Sequence, residues 1–170
     1  KSRRLGLLIS DAVDLWWSRN LDVQNVRSVC LFLGPYRNLT TLTASILFLH
    51  PYIQVLNHAG MRIFGNKKVD FLQDFNKETF DRFTQFAITI SGKGYKGVLG
   101  GSITYGHAFD YPLMKGIWMN NGGEMIKKQI QCLLWKESLR TSNMIRKKCF
   151  DFISFFEKEE RLRFIIPVRN

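Results

Sequence analysis

The sequence predicts an α/β domain: a parallel sheet with flanking helices. Short apolar runs without alternation, such as SVCLFLG at 28–34, read as strands buried on both faces. Segments of helical periodicity separate these runs, and that alternation is the pattern of a parallel sheet. An apolar content of 45% in 170 residues supplies enough material for one domain with a real core.

The elements follow in order. Leu5, Leu8, Ile9, Ala12 and Trp16 recur at helical spacing, which predicts an amphipathic helix over 4–19 with that stripe against the core. The strand at 28–34 ends at Gly34-Pro35, and helix resumes over 40–49 with Leu42, Ile46 and Leu49 on one face before Pro51 stops it. IQVLNH (53–58) is a second strand. NKETFDRFTQFAITI (76–90) opens on the cap residue Asn76 and carries Phe80, Phe83, Ala87 and Ile90 along one stripe. Residues 91–123 hold nine glycines and read as an irregular excursion or lid. Regular structure then returns as a helix near 123–129, a strand at 131–137, a helix at 141–157 and a strand at 163–168.

Charge and cysteine usage narrow the partners. Twenty-five Lys and Arg against fourteen Asp and Glu give a net charge of +11, a field that favours an anionic partner. Cys30, Cys132 and Cys149 are widely spaced and lack metal-ligand spacing, so they read as free thiols in a reducing compartment. That reading places the chain in the cytoplasm, with a Golgi-lumenal domain of a longer protein as the alternative. No apolar run approaches the ~20 residues that cross a bilayer. Asp11 and Asp14 interrupt the basic-then-apolar start, so no signal peptide is read there.

The loop at 34–41 carries the chemistry. Gly34 and Thr41 keep the register of a phosphate-binding loop, GxxxxGK[ST], whereas Leu39 replaces its second glycine and Thr40 its lysine. The hydroxyls of Thr40 and Thr41 and the first-turn amides of the following helix can hold phosphate oxygens, and Arg37 can supply the missing charge. An ordinary strand-to-helix turn with a surface arginine is the plain alternative. Two other features carry less. Gly92-Lys93-Gly94-Tyr95-Lys96-Gly97 matches GxGxxG but follows helical rather than strand periodicity. Arg140, Arg146, Lys147 and Lys148 read as a solvated helix face, and Phe150, Phe152, Phe155 and Phe156 as core.

Over about residues 28–170 the chain resembles the sulfotransferases that use 3′-phosphoadenosine 5′-phosphosulfate. In LFLGPYRNLTTLTASILFLHPYIQVLNHAG, residues Arg37, Thr40, Thr41, His50 and Pro51 fall in register with that family's strand, G-x-P-[RK]-S-G-T-T loop and helix ending in His-Pro. LLWKESLRTSNMI resembles its W-x-x-K segment, with Lys136 at the lysine. RLRFIIPVRN resembles the strand that delivers an arginine to the 3′-phosphate, and Arg169 matches it. The resemblance implies a P-loop-like fold, of which this chain is the N-terminal portion. It also implies a metal-free transfer of a sulfuryl group to a hydroxyl or amine on a glycan, peptide or small alcohol. The roles it implies are His58 as general base, Arg37 and Lys136 as catalytic cations, and Tyr36, Arg37, Asn38, Leu39, Thr40, Thr41 and Arg169 as cofactor-binding residues. Departures stand at Leu39 and at Glu137-Ser138, where the family has Thr-Pro. A non-catalytic nucleotide-binding or scaffold protein of the same fold, and a basic nucleic-acid-binding module, are the other classes left open.

Overall fold

The computed structural model describes residues 2–35, 38–94, 99–147 and 152–168. Four parallel strands form its centre: β1 (Ser28–Phe32), β2 (Ile53–Asn57), β4 (Cys132–Lys136) and β5 (Leu162–Ile165). A two-residue strand, β3 (Gly101–Ser102), pairs antiparallel with β2 at the edge, and the order across the sheet is β3-β2-β4-β1-β5. Helices α1 (Ser2–Ser18), α2 (Thr40–Phe48), α3 (Gly60–Ile63), α4 (Lys77–Ser91), α5 (Pro112–Asn120), α6 (Ser138–Lys147) and α7 (Phe152–Lys158) flank it.

The order has a consequence for the site. The connection from β1 through α2 leaves toward β2, whereas the connection from β4 through α6 and α7 leaves toward β5. Adjacent strands whose connections leave in opposite directions create a switch point, here between the carboxyl ends of β1 and β4. Crossovers of one hand running in opposite directions must cover opposite faces. The packing agrees: Ala44 and Phe48 of α2 join Phe32, Val55 and Leu134 on one face, and Ile145 of α6 and Phe155 of α7 join Val29, Leu31, Leu133 and Trp135 on the other.

Most of the strand and helix expectations hold to within a few residues. In α4 the Asn76 side chain accepts the Thr79 N–H at 2.8 Å, and Phe80, Phe83, Ala87 and Ile90 are buried as the stripe requires. Two expectations differ. The excursion at 91–123 contains β3, two 3₁₀ turns (Ile103–Tyr105 and His107–Asp110) and α5, whose first residue is Pro112. Residues 123–129 form no helix; the glycines at 122 and 123 adopt positive φ and end α5 instead. The helix expected over 141–157 is seen as α6 up to Lys147 and α7 from Phe152, with 148–151 outside the described residues. Cys30 and Cys132 are free thiols as expected, although strand order makes them neighbours on β1 and β4 with sulfurs 3.8 Å apart; Cys149 lies outside the described residues.

Part of two predicted apolar stripes faces outward, the Leu5 and Leu8 side chains lying outside the described residues and Leu49 being half-buried. In α2, Leu42 and Ile46 are exposed while Thr40, Ala44, Ser45 and Phe48 are buried. In α1, Ile9, Ala12 and Trp16 are exposed, and the inward face carries Asp14 and Ser18 with the half-buried Asp11 and Leu15. The cause is ionic. Arg62 of α3 is buried, donates from Nε to Asp11 at 2.5 Å and from Nη2 to Asp14 at 2.6 Å, and stacks over the Phe86 ring; Lys93 also binds Asp14. Desolvated charges demand partners more strongly than an aliphatic face demands burial. Arg62→Ala leaves Asp14 buried without its main partner. It is expected to lower stability by about 3–5 kcal/mol in urea denaturation.

Candidate functional site

The carboxyl ends of the parallel strands collect the unusual backbone. Among the described non-glycine residues, positive φ occurs at Leu39 (56°), His58 (61°) and Ala59 (80°), and each sits just beyond β1 or β2. Such conformations cost energy and persist where surrounding contacts enforce them. At His58 those contacts are clear. Its N–H continues the ladder to the Lys136 carbonyl at 3.0 Å, and its carbonyl accepts the Trp135 indole N–H at 2.5 Å. Trp135 is fully buried between Phe64 and Phe83, so the turn is anchored to the core. Gly100 meets the same turn from β3: a Cβ there would lie 2.4 Å from the Ala59 Cβ, so only glycine permits the approach.

Three side chains meet beyond β2 and β4. The Lys136 Nζ lies 3.4 Å from His58 Nε2, and the His58 Nδ1 faces Glu137 Oε2 at 3.8 Å. Glu137 Oε2 also accepts the Gly60 N–H at 3.0 Å, while Oε1 lies 3.8 Å from the Arg140 Nε. A Cβ on Gly60 would stand 3.1 Å from that carboxyl group, so the bare backbone is what lets the carboxylate sit against the amide. Burial pushes the Glu137 pKa up, but the His58 imidazole, the Gly60 N–H and the Arg140 guanidinium outweigh it and hold the group below the ordinary carboxylate value. Burial lowers the Lys136 pKa, opposed by the Glu137 charge. With an ionised Glu137 beside Nδ1, the imidazole tautomer protonated at Nδ1 is favoured, which leaves the Nε2 lone pair toward Lys136.

The turn after β1 closes the other side. The Gly34 N–H donates to Ser142 Oγ of α6 at 2.9 Å, and the Asn38 amide donates to the Pro167 carbonyl at 3.3 Å. These bonds bring the β1 turn against both the helix after β4 and the segment after β5. Leu39 is 49% exposed and precedes α2 without a side-chain cap, so it does not plug the core. Thr40 is buried and Thr41 half-buried in the first turn of α2. Tyr36, Arg37 and Arg169 lie outside the described residues.

The structure therefore brings His58 and Lys136 into contact and adds Glu137, Gly60 and Arg140 as their supports. Glu137 was legible only as the last residue of the expected strand and as a departure from the resembled motif. His50 is exposed beyond α2, and its Nδ1 accepts the Tyr52 N–H at 3.3 Å. His107 is exposed beside Asp110. Two clefts of about 390 and 430 Å³ lie at the opposite, amino-terminal edge of the sheet, where Arg27, Tyr52, Lys127 and Gln131 are among their walls. Neither contains a histidine or strained backbone, so the chemically equipped end is the carboxyl one. Among the described residues, no group of three or more His, Cys, Asp and Glu is placed to hold a metal ion, and no helix is long and apolar enough to cross a membrane.

No protein-family model, curated protein or solved structure matches the chain. The fold and the site define an α/β protein with a five-stranded, mostly parallel sheet and a Lys-His-Glu cluster at its carboxyl edge.

Glu137 binds its proton less tightly in the folded chain than in the unfolded one. The unfolded state therefore takes up more protons as the pH falls through the ordinary carboxylate range. The stabilisation is complete above the unfolded-state value of about 4.3 and is lost as the pH drops below the lowered folded-state value. Glu137→Gln is expected to flatten that part of the acid-denaturation curve, read as urea midpoint against pH.

Proposed function

We propose that the chain is a sulfotransferase domain that moves a sulfuryl group from 3′-phosphoadenosine 5′-phosphosulfate to a hydroxyl, or an amine, of an acceptor. The observation that carries the reading is the contact of His58 Nε2 with Lys136 Nζ at 3.4 Å, at the carboxyl ends of β2 and β4, one strand from the switch point between β4 and β1. It supports the pairing of base and cation that such a transfer requires.

The residues fit an anionic nucleotide. Lys136 is buried and, among the described residues, has the His58 imidazole rather than a carboxylate at hydrogen-bonding distance. The Glu137 carboxylate is engaged by Gly60 and approached by His58 and Arg140, so the Lys136 charge is left for a ligand. The first-turn amides of α2 and the hydroxyls of Thr40 and Thr41 lie at the end of β1 and are suited to phosphate oxygens. Arg37 and Arg169 keep the roles that the sequence suggests. Asn38 contributes by tying the β1 turn to Pro167, which brings the segment leading to Arg169 against that turn.

In this reading the phosphosulfate supplies the sulfuryl group. With Lys136 engaged by the nucleotide instead of the ring, His58 takes the acceptor hydroxyl's proton at Nε2, and Glu137 facing Nδ1 stabilises the imidazolium that results. Lys136 and Arg37 neutralise charge on the departing phosphate side, as cations do in the closely related transfer of phosphoryl groups. The positive φ of His58 and Ala59 is strain at the turn that carries this ring.

The test is transfer of labelled sulfate to a panel of hydroxyl and amine acceptors. His58→Ala should lower the rate by ~10²–10⁴ while leaving affinity for 3′-phosphoadenosine 5′-phosphate nearly intact. Undiminished transfer by that variant would remove His58 from the mechanism, and nucleotide binding without transfer by the wild type would favour a binding or scaffold role.

A further inference from the structure

Helix α1 presents apolar side chains outward over its described second half. Ile9, Val13, Trp16 and Trp17 follow one another at helical spacing and are 58%, 46%, 59% and 65% exposed. The Trp16 and Trp17 rings meet edge to face, with centroids 4.9 Å apart, so the stripe ends in a paired indole surface. The acidic residues of the helix are on the other side, where Asp11 and Asp14 bind Arg62 and Lys93. The arrangement strips negative charge from the outer face and leaves apolar surface in its place.

The charge around the helix selects what would cover that stripe. The first turn of α1 contains no acidic residue and includes Arg3 and Arg4 in its sequence. At the other end, Arg19, Lys67, Lys68 and Arg82 gather around Leu15, with Asp74 and Glu78 the acidic residues among them. The whole chain carries +11. A second copy docked through the same stripe would bring two such fields together, which opposes association. An anionic bilayer surface attracts the field, accepts an apolar helix face lying in its plane, and is the environment in which tryptophan is enriched at the headgroup level.

We infer that the outer face of α1 is a docking surface for an anionic lipid bilayer, with Trp16 and Trp17 inserted at the headgroup level and Ile9 and Val13 beside them. The helix lies on the membrane and does not cross it. The inference is independent of the transfer chemistry, because none of its residues belongs to the His58 cluster.

The test uses the whole chain with vesicles of phosphatidylcholine alone and of phosphatidylcholine mixed with phosphatidylserine. The expected result is cosedimentation with the mixed vesicles, weakened by salt, and a blue shift of tryptophan emission on binding. The double variant Trp16→Ala, Trp17→Ala should lose about tenfold or more in vesicle partitioning. Because those side chains are exposed in the fold, its circular dichroism and thermal transition should match the wild type. Ile9→Ala with Val13→Ala gives a second, milder loss. Failure of the wild type to bind the mixed vesicles, equal binding to both vesicle types, or undiminished binding by the tryptophan variant would overturn the inference. So would a dimer in light scattering that disappears in that variant, since a second copy would then own the stripe.

Discussion

The site depends on one buried carboxylate. Glu137 leaves the end of β4 and reaches the Gly60 N–H just beyond β2, so two strand ends with no covalent link nearby are held by a charge-assisted hydrogen bond. The same carboxylate faces the His58 ring and the Arg140 guanidinium. Without it the imidazole would lose the partner on its Nδ1 side, and the left-handed His58-Ala59 turn would be anchored by Trp135 and the sheet ladder alone. A buried carboxylate is tolerated because its neighbours outweigh the burial penalty, and its lowered pKa is the sign that they do.

Around that anchor the fold places its tension at one edge. Leu39, His58 and Ala59 all adopt φ values that favour glycine, and all lie beyond the carboxyl ends of parallel strands. Gly34, with φ of 114°, begins the turn in which Leu39 ends. Strain gathered at the end where strand order reverses is what a ligand-facing edge looks like in an open parallel sheet, because the ends of different strands converge there and their loops are free to differ. The cores on the two faces are ordinary by comparison: Phe48 and Phe109 meet edge to face in one, and Phe71, Phe80, Phe83 and Phe155 pack ring against ring in the other.

How much of this could be read from the sequence depended on whether the deciding interaction was local. The strands at 28–34 and 53–58 and the helix from Asn76 were legible because burial on both faces, a helical stripe and a cap residue are properties of neighbouring residues. The orientation of α1 was not, because it is set by Arg62, about fifty positions away in sequence. Helix α5 was hidden among glycines, although Pro112 stands at its first position, a common place for proline to begin a helix. His58 and Lys136 were visible as candidate groups at strand ends. Their contact required the pairing of β2 with β4, and Glu137 required knowing that Gly60 would lie beside it. The adjacency of Cys30 and Cys132 likewise follows from strand order and not from spacing.

The proposed function requires that Lys136, buried beside His58, contact the anionic end of an adenine nucleotide. Calorimetric titration of 3′-phosphoadenosine 5′-phosphate into the wild type and into Lys136→Met tests it most directly. The account predicts one-to-one binding by the wild type, weakened about tenfold or more in the variant by the loss of a charge-assisted contact. No binding by the wild type, or equal affinity in the two proteins, would contradict it.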